Sequence, residues 1–396
     1  MRILFVSDVY FPRVNGVSTS IKTFRADLTA YGVETVLVAP DYGVAVDSDP
    51  SSRVIRVASA RVPRDPEDRR MRWSALQTAL ADLEKESFDL VHIHTPFIAH
   101  YAGVRFARRL GIPCIATYHT FFEEYLHHYV PVLPRGIGRF LARAFTRSQC
   151  AQVAALIAPS EPMREALNVY GVETPIHIVP TGLPADRFKQ GDGARFRREF
   201  NLPADRPVLL YVGRVAHEKN IDFLVRMFEQ VRRSQPTALL AIAGEGPAQE
   251  PLAALVRQLN LSDAVRFIGY LDRNTTLLDC YACADAFVFA SRTETQGLVL
   301  LEAMAQGAPV VSTAAMGTRS ILKENCGAVV VEEDLGKFSA AVVELLNDAQ
   351  QRETLSEQGR EYAKSWSSLA MAQRMVSVYR AAALEASPKK SAALCA

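Results

Sequence analysis

The sequence predicts an α/β protein built from two doubly wound, Rossmann-like domains that face each other across a cleft. Three observations lead there. Short apolar runs alternate with helix-period segments from end to end, the pattern of βαβ units and parallel sheets. At 396 residues the chain exceeds one core of ordinary size. Near its middle, TGLPADRFKQGDGARFRREFNLPADR (181–206) is rich in Gly, Pro, Asp and Arg and reads as a linker.

The strands of the first half read ILFVS (3–7), VETVLVAP (33–40), VIRV (54–57), DLVHIHT (89–95), CIATYH (114–119), ALIAPS (155–160) and IHIVP (176–180). Those of the second half read VLLYVGR (208–214), ALLAIAG (238–244), VRFIGY (265–270), AFVFAS (286–291), PVVST (309–313) and GAVVV (327–331). The domains are therefore drawn as 1–187 and 200–367. After 335 the pattern is helical, and a last helix at about 368–386 is expected to pack back on the first domain. The tail 387–396, SPKKSAALCA, reads as disordered.

Composition narrows the function. With 49% hydrophobic and 22% charged residues the chain is an ordinary globular one, and a net charge of +2 gives no reason to expect nucleic acid. MRILFVSD meets Asp8 too early for a signal peptide, and no run approaches the roughly 18 apolar residues of a membrane span. The six cysteines show no framework spacing. Cys280 and Cys283 form a lone C-x-x-C and read as core thiols in a reducing cytosol.

Chemistry concentrates where strands end. Glu294 follows AFVFAS in the loop at a strand's C-terminal end, where open α/β sheets bind ligands. Gln296–Gly297 opens a helix, and Glu302 lies about a turn and a half inside it, beside the same crevice. Arg214 ends the first strand of the second half and Lys219 begins the next helix, a pair suited to clamp a diphosphate. Gly244 and Gly246, in AGEGPA, would let backbone approach a base or ribose, while Pro247 excludes a G-x-G-x-x-G fingerprint and with it a dinucleotide oxidoreductase. In the first half, Asn15–Gly16 permits a left-handed turn, and Val17–Ser18 starts a helix whose N–H groups are expected to face the cleft. His119 ends the strand CIATY and can hydrogen-bond a ligand there, by ring or backbone carbonyl. His92 and His94 share a strand face and read as structural.

Asp47–Ser48–Asp49 matches a D-x-D metal motif but reads as a surface loop; with cationic side chains at the diphosphate, no metal or other cofactor is expected. The first half carries a further signal. Arg135, Arg139, Arg143 and Arg147 recur every fourth residue as a basic stripe beside Ile137, Phe140, Leu141, Ala144 and Phe145. Residues 101–160 carry seven arginines against two glutamates. A basic amphipathic helix of this kind is suited to an anionic membrane surface.

The order G-R-x-x-x-x-K-N (213–220), G-x-G-P (244–247) and E-x7-E (294–302) resembles the retaining glycosyltransferases of family 4, with their two-domain GT-B fold, over residues 1 to about 380. Within that family HIHTPF (92–97), TYHTFFEEYLHHY (117–129) and ETQGL are similar to bacterial glycolipid synthases, the 1,2-diacylglycerol 3-α-glucosyltransferases. The resemblance implies that Glu294, with Thr295, Gln296, Gly297 and Leu298 of its motif, holds the donor sugar and Glu302 the ribose. It implies that Arg214 and Lys219 hold the diphosphate, that Gly16 contacts the reacting end, and that His119 lies against the sugar. Tyr125, Arg135, Arg139, Phe140, Arg143 and Arg147 would face acceptor and membrane. The expectation is a hexosyltransferase, peripheral on the cytoplasmic face of the cell membrane. It would move glucose from UDP-glucose to a lipid hydroxyl such as diacylglycerol. The alternatives are a mannosyl- or glucosyltransferase (GDP-mannose being the other donor) with a soluble or polysaccharide-precursor acceptor, and a non-catalytic sugar-nucleotide binder. PRVNGV lacks the lysine of the K-x-G-G-like loop of glycogen synthases.

Overall fold

The structure is a computed structural model that describes residues 1–44, 53–62, 65–119, 135–273 and 275–386. Contacts divide the chain into two compact units, Met1–Gly182 with the chain from Ser368 onward, and Leu183–Ser367.

The first unit holds a seven-stranded sheet in the order β3-β2-β1-β6-β7-β8-β9, every neighbouring pair parallel. Its strands are β1 (Arg2–Val6), β2 (Glu34–Pro40), β3 (Arg53–Val57), β6 (Leu90–Ile93), β7 (Cys114–Thr117), β8 (Ala155–Ala158) and β9 (Ile176–Ile178). The inner strands β1, β2, β6 and β8 are covered on both faces, which is why they read as largely apolar runs rather than alternating ones, while β3 and β9 stay partly exposed. Leu4 and Val6 pack into one core with Val91 and Ile93. Ile3 and Phe5 point the other way, into a core completed by Ile21 and Phe24 of the Gly16–Leu28 helix and by Met371, Met375 and Tyr379 of the Ser368–Ala386 helix.

The second unit repeats the plan with six parallel strands, in the order β12-β11-β10-β13-β14-β15. They are β10 (Val208–Val212), β11 (Leu239–Ala243), β12 (Val265–Gly269), β13 (Ala286–Phe289), β14 (Val310–Ser312) and β15 (Ala328–Val330). Each sheet reverses its strand order at a central strand, β1 or β10. That switch point opens a crevice at the strands' C-terminal ends.

The structure departs from the sequence reading in three places. Residues 183–199 are not the end of the first domain and a linker; they belong to the second unit. Phe196 is fully buried in that unit's core, Arg195 pairs with Asp279, Arg197 pairs with Asp285 at 2.7 Å, and Gln306 accepts from Gly191 N and donates to the Arg187 and Lys189 carbonyls. Burying one phenylalanine stabilises by about 2–3 kcal/mol, more than a loose linker offers. A two-stranded antiparallel ribbon, β4 (Ser59–Val62) with β5 (Asp65–Met71), also escaped the sequence reading. Lastly, Asn15 is extended (φ −156°, ψ 178°) rather than left-handed. It caps the Gly16–Leu28 helix, its Oδ1 accepting from Ser18 N at 2.8 Å.

Candidate functional site

In the second unit the candidate residues gather at the switch point between β10 and β13. The loop after β10 runs from Gly213 through Arg214 to a 3-10 turn, His217–Lys219, and Asn220 (φ +56°) then starts the Ile221–Ser234 helix. Asn220 is buried and donates from Nδ2 to Ala290 O at 3.2 Å, tying this loop to the one after β13. Glu294 lies in that second loop. Its Oε1 is 2.6 Å from Lys219 Nζ, with both side chains 18% exposed. The backbone here is held from a third side, since Gly317 N donates to Glu294 O at 2.8 Å. Arg214 stands at the rim, 41% exposed and 3.9 Å from Glu218 Oε1, too far for a hydrogen bond.

Thr295 is half-buried and Gln296 buried; Gly297 (φ +94°) opens the Leu298–Ala305 helix without a side-chain cap or an acidic residue in its first turn. Its first N–H groups and dipole therefore favour an anion. A cation pair, a carboxylate and an uncapped helix start at one strand-end crevice make an arrangement suited to a diphosphate bearing a neutral sugar.

Glu302 is placed differently from a surface helix acid. It is 3% exposed; Arg273 donates to Oε1, and Tyr281 Oη donates to Oε2 at 2.9 Å. Burial and the adjoining Glu302 charge push the Tyr281 phenol up, and Glu302 raises the Arg273 guanidinium. Sequence reasoning missed both: no motif surrounds Arg273, and Tyr281 lies between Cys280 and Cys283, a pair that reads only as core thiols.

Gly244 and Gly246 owe their identity to the fold. At Gly244 φ is +134° and a Cβ would meet Gly213 O at 1.9 Å; at Gly246 a Cβ would meet Val215 O at 2.3 Å. They let the loop after β11 cross the loop after β10, which Val215 N→Glu245 O (2.9 Å) and Ala248 N→Val215 O (3.0 Å) fasten. Gly16 is the opposite case. Its backbone needs no glycine, and a Cβ there would meet nothing within 4 Å, so open space adjoins the start of its helix.

In the first unit the switch point lies between β1 and β6. Asp8, buried after β1, accepts from Thr95 Oγ1 at 2.8 Å and from Ala99 N at 3.1 Å, and so caps the Ile98–Leu110 helix in place of Phe97. Burial pushes its carboxyl up to about 6. Beside it three histidine rings follow one another. His92 pairs through Nδ1 with Tyr379 Oη (2.8 Å) and through Nε2 with Thr117 Oγ1 (2.7 Å). His94 Nδ1 lies 3.4 Å from Nε2 of His119, just beyond β7. Burial keeps all three neutral near pH 7, His119 being drawn down to about 4.

The Arg135–Cys150 helix is present, and Phe140 and Leu141 stand 67% and 49% exposed on it, not in the core. Arg143 lies over the Tyr170 ring at 5.0 Å, and Arg147 is exposed. Asp47, Asp49 and Tyr125, the tail 387–396, and the side chains of Arg135, Ile137 and Arg139 fall outside the described residues. Among the described residues no cluster of three or more His, Cys, Asp or Glu is arranged to hold a metal ion. Nor is any helix there long and apolar enough to cross a membrane.

Comparison with known proteins gives two family matches, "Glycosyltransferase Family 4" over residues 14–187 and "Glycosyl transferases group 1" over 192–362. The chain is 32% identical over 320 residues to an alpha-monoglucosyldiacylglycerol synthase of Streptococcus pneumoniae, covering 79% of this chain and 71% of the relative. It is 27% identical over 380 residues to a GDP-mannose-dependent alpha-mannosyltransferase of Mycobacterium tuberculosis, covering 92% and 93%. Among solved structures, sucrose-phosphate synthase from Thermosynechococcus elongatus superposes with a TM-score of 0.77 at 23% identity, over 96% of this chain and 98% of that one.

Proposed function

The chain belongs to the family 4 glycosyltransferases of the GT-B fold, and from that premise we propose that it transfers glucose from UDP-glucose, with retention, to the hydroxyl of diacylglycerol at a membrane surface. The observation that carries the donor half is the Lys219–Glu294 pair, 2.6 Å apart at the second unit's switch point. The 32%-identical relative, by its name a glucosyldiacylglycerol synthase, supports the sugar and the acceptor.

In this reading Glu294 accepts hydrogen bonds from the sugar's hydroxyls. Arg214, Lys219 and the uncapped start of the Leu298–Ala305 helix hold the diphosphate, and Glu302, anchored by Arg273 and Tyr281, serves the ribose. Gly16 leaves room at the reacting end, and His119 contacts the transferred sugar. The acceptor oxygen bonds to the anomeric carbon on the face from which the carbon–phosphate-oxygen bond breaks. The bonding pair leaves with the nucleoside diphosphate, and the acceptor's proton passes to a departing phosphate oxygen. Charge grows on the diphosphate as that bond breaks, so fixed cations there stabilise the transition state more than the ground state. The cations make a divalent ion unnecessary.

Purified enzyme incubated with radiolabelled UDP-glucose, UDP-galactose, ADP-glucose or GDP-mannose and diacylglycerol in phosphatidylglycerol vesicles tests the reading. Labelled α-glucosyldiacylglycerol from UDP-glucose, undiminished by EDTA, is expected. Product from GDP-mannose alone would replace the donor assignment, and that second reading is favoured by the mycobacterial relative's match over 92% of this chain. Activity lost to EDTA and restored by magnesium would overturn the metal-free clamp.

A further inference from the structure

His94 has no part in the reaction just described, yet it is built into the first unit's switch point. Its ring is 1% exposed, packed 4.6 Å from Phe5 and 4.0 Å from His92, centroid to centroid. His92 is itself fixed at both nitrogens by Tyr379 and Thr117. His94 therefore has little freedom to turn.

Its contact with His119 is edge to edge. The ring planes differ by 25° and the centroids stand 5.7 Å apart, while Nδ1 of His94 and Nε2 of His119 are separated by 3.4 Å. The centroid separation exceeds the nitrogen separation by roughly one ring width, so both nitrogens lie near the line joining the rings. An in-plane lone pair on one nitrogen then points at the other, the geometry of a long N–H···N hydrogen bond.

One proton sits between two neutral rings, and two arrangements are available. If His119 donates from Nε2, His94 accepts at Nδ1 and must carry its own proton on Nε2. That atom is buried and has no hydrogen-bond partner among the described residues. If His94 donates from Nδ1, the unpartnered atom is a lone pair instead. Buried N–H groups without an acceptor are rarer in proteins than under-satisfied acceptors, so the second arrangement is the stable one. We propose that His94 is a positioning residue: its Nδ1–H donates to His119 Nε2 and holds His119 as the Nδ1–H tautomer, with a donor on its far edge. The assignment of His119 to the transferred sugar comes from the proposed function; the tautomer follows from the first unit alone.

The test is long-range proton–nitrogen NMR of the full-length enzyme with nitrogen-15 histidine at pH 7.5, the His119 signals being identified by their loss in His119→Asn. Wild type should show His119 protonated on Nδ1. His94→Phe, which removes the donor, should shift His119 toward the Nε2–H form and lower kcat about tenfold, the effect of one hydrogen bond, with donor KM nearly unchanged. His94→Asn places an amide N–H near the Nδ1 position and should restore both the tautomer and most of the lost turnover. His94→Gln, whose amide reaches toward Nε2 instead, should not. A wild-type His119 on Nε2–H, or one whose tautomer ignores His94→Phe, overturns the inference whether or not the variants fold well. If the tautomer shifts while kcat stays at the wild-type value, the pairing stands and the assignment of His119 to the sugar fails.

Discussion

Glu294 and Lys219 neutralise each other at the β13 loop, so changing either leaves its partner without a counter-charge. Glu294→Gln is expected to lower kcat by about 10²–10³-fold, on the order of 3–4 kcal/mol, with the fold intact by circular dichroism. Wild-type turnover on the true donor would remove Glu294 from the site. Asp8 gives a second prediction, one of pH. Its carboxyl is raised from 3.8 to about 6, so the native state binds a proton that the unfolded chain has released. Its contribution is full below about 3.8 and is lost as pH rises through about 6. Asp8→Asn keeps an acceptor for Thr95 and Ala99 without the charge. Relative to wild type it should gain roughly 1–3 kcal/mol in urea unfolding at pH 7.5, and that gain should vanish by pH 4. A constant difference across pH would mean that Asp8 is not the titrating group. The residues of the second unit's crevice differ in how far the sequence showed them. Glu294 was legible because its loop carries a dense local motif. Arg273 and Tyr281 were not, because they meet Glu302 across 29 and 21 residues of chain through folding alone.

At the scale of elements, inner strands buried on both faces announce themselves as apolar runs, and the partly exposed β3, β9, β12 and β15 were readable as short β-branched segments alternating with helices. The ribbon β4–β5 was not, because DPEDRRM has neither an apolar run nor alternation; Arg13 meets Asp68 there at 3.2 Å. The segment 183–199 misled for the opposite reason: its glycines and charges look like a linker, but Arg195 pairs with the buried Asp279 and Arg197 with the half-buried Asp285 of the second unit. The Arg135–Cys150 helix carries the element-scale prediction. Phe140 and Leu141 are exposed apolar groups on the helix that also exposes Arg147, and on the proposed reading they would insert into lipid while the cation meets its phosphates. Phe140→Ser with Leu141→Ser should weaken sedimentation with phosphatidylglycerol vesicles even at low salt. Arg147→Gln should weaken it mildly, by about 1 kcal/mol, and less as salt rises. Equal binding by all three proteins would leave the helix as a solvated face and remove the independent support for a lipid acceptor.

For the whole molecule, connectivity makes the two units unequal. The second is one continuous stretch, Leu183–Ser367, with its own core and both loops of the donor crevice. The first is assembled from both ends of the chain, because the Ser368–Ala386 helix returns to it. Met371, Met375 and Tyr379 of that helix are each at most 3% exposed, packed in one core with Ile3, Phe5, Ile21 and Phe24. Stripping three such side chains from a core costs several kcal/mol at roughly 1.5–3 each, a large share of a domain's usual 5–15. Removal of Tyr379 would also leave His92 Nδ1 without its 2.8 Å partner in a buried place. We therefore expect the fragment 183–367, expressed alone, to unfold cooperatively and to bind the nucleoside diphosphate of the true donor within about tenfold of the whole enzyme's affinity. The fragment 1–182 alone should be expanded or aggregated, and adding a peptide of residues 368–386 should restore cooperative melting. Circular dichroism melts of both fragments, with calorimetric titration of the nucleotide into 183–367, decide the matter. A well-folded 1–182 would show that the returning helix is dispensable to the first core. A folded 183–367 that ignores every nucleoside diphosphate would take the donor site away from the β10–β13 crevice.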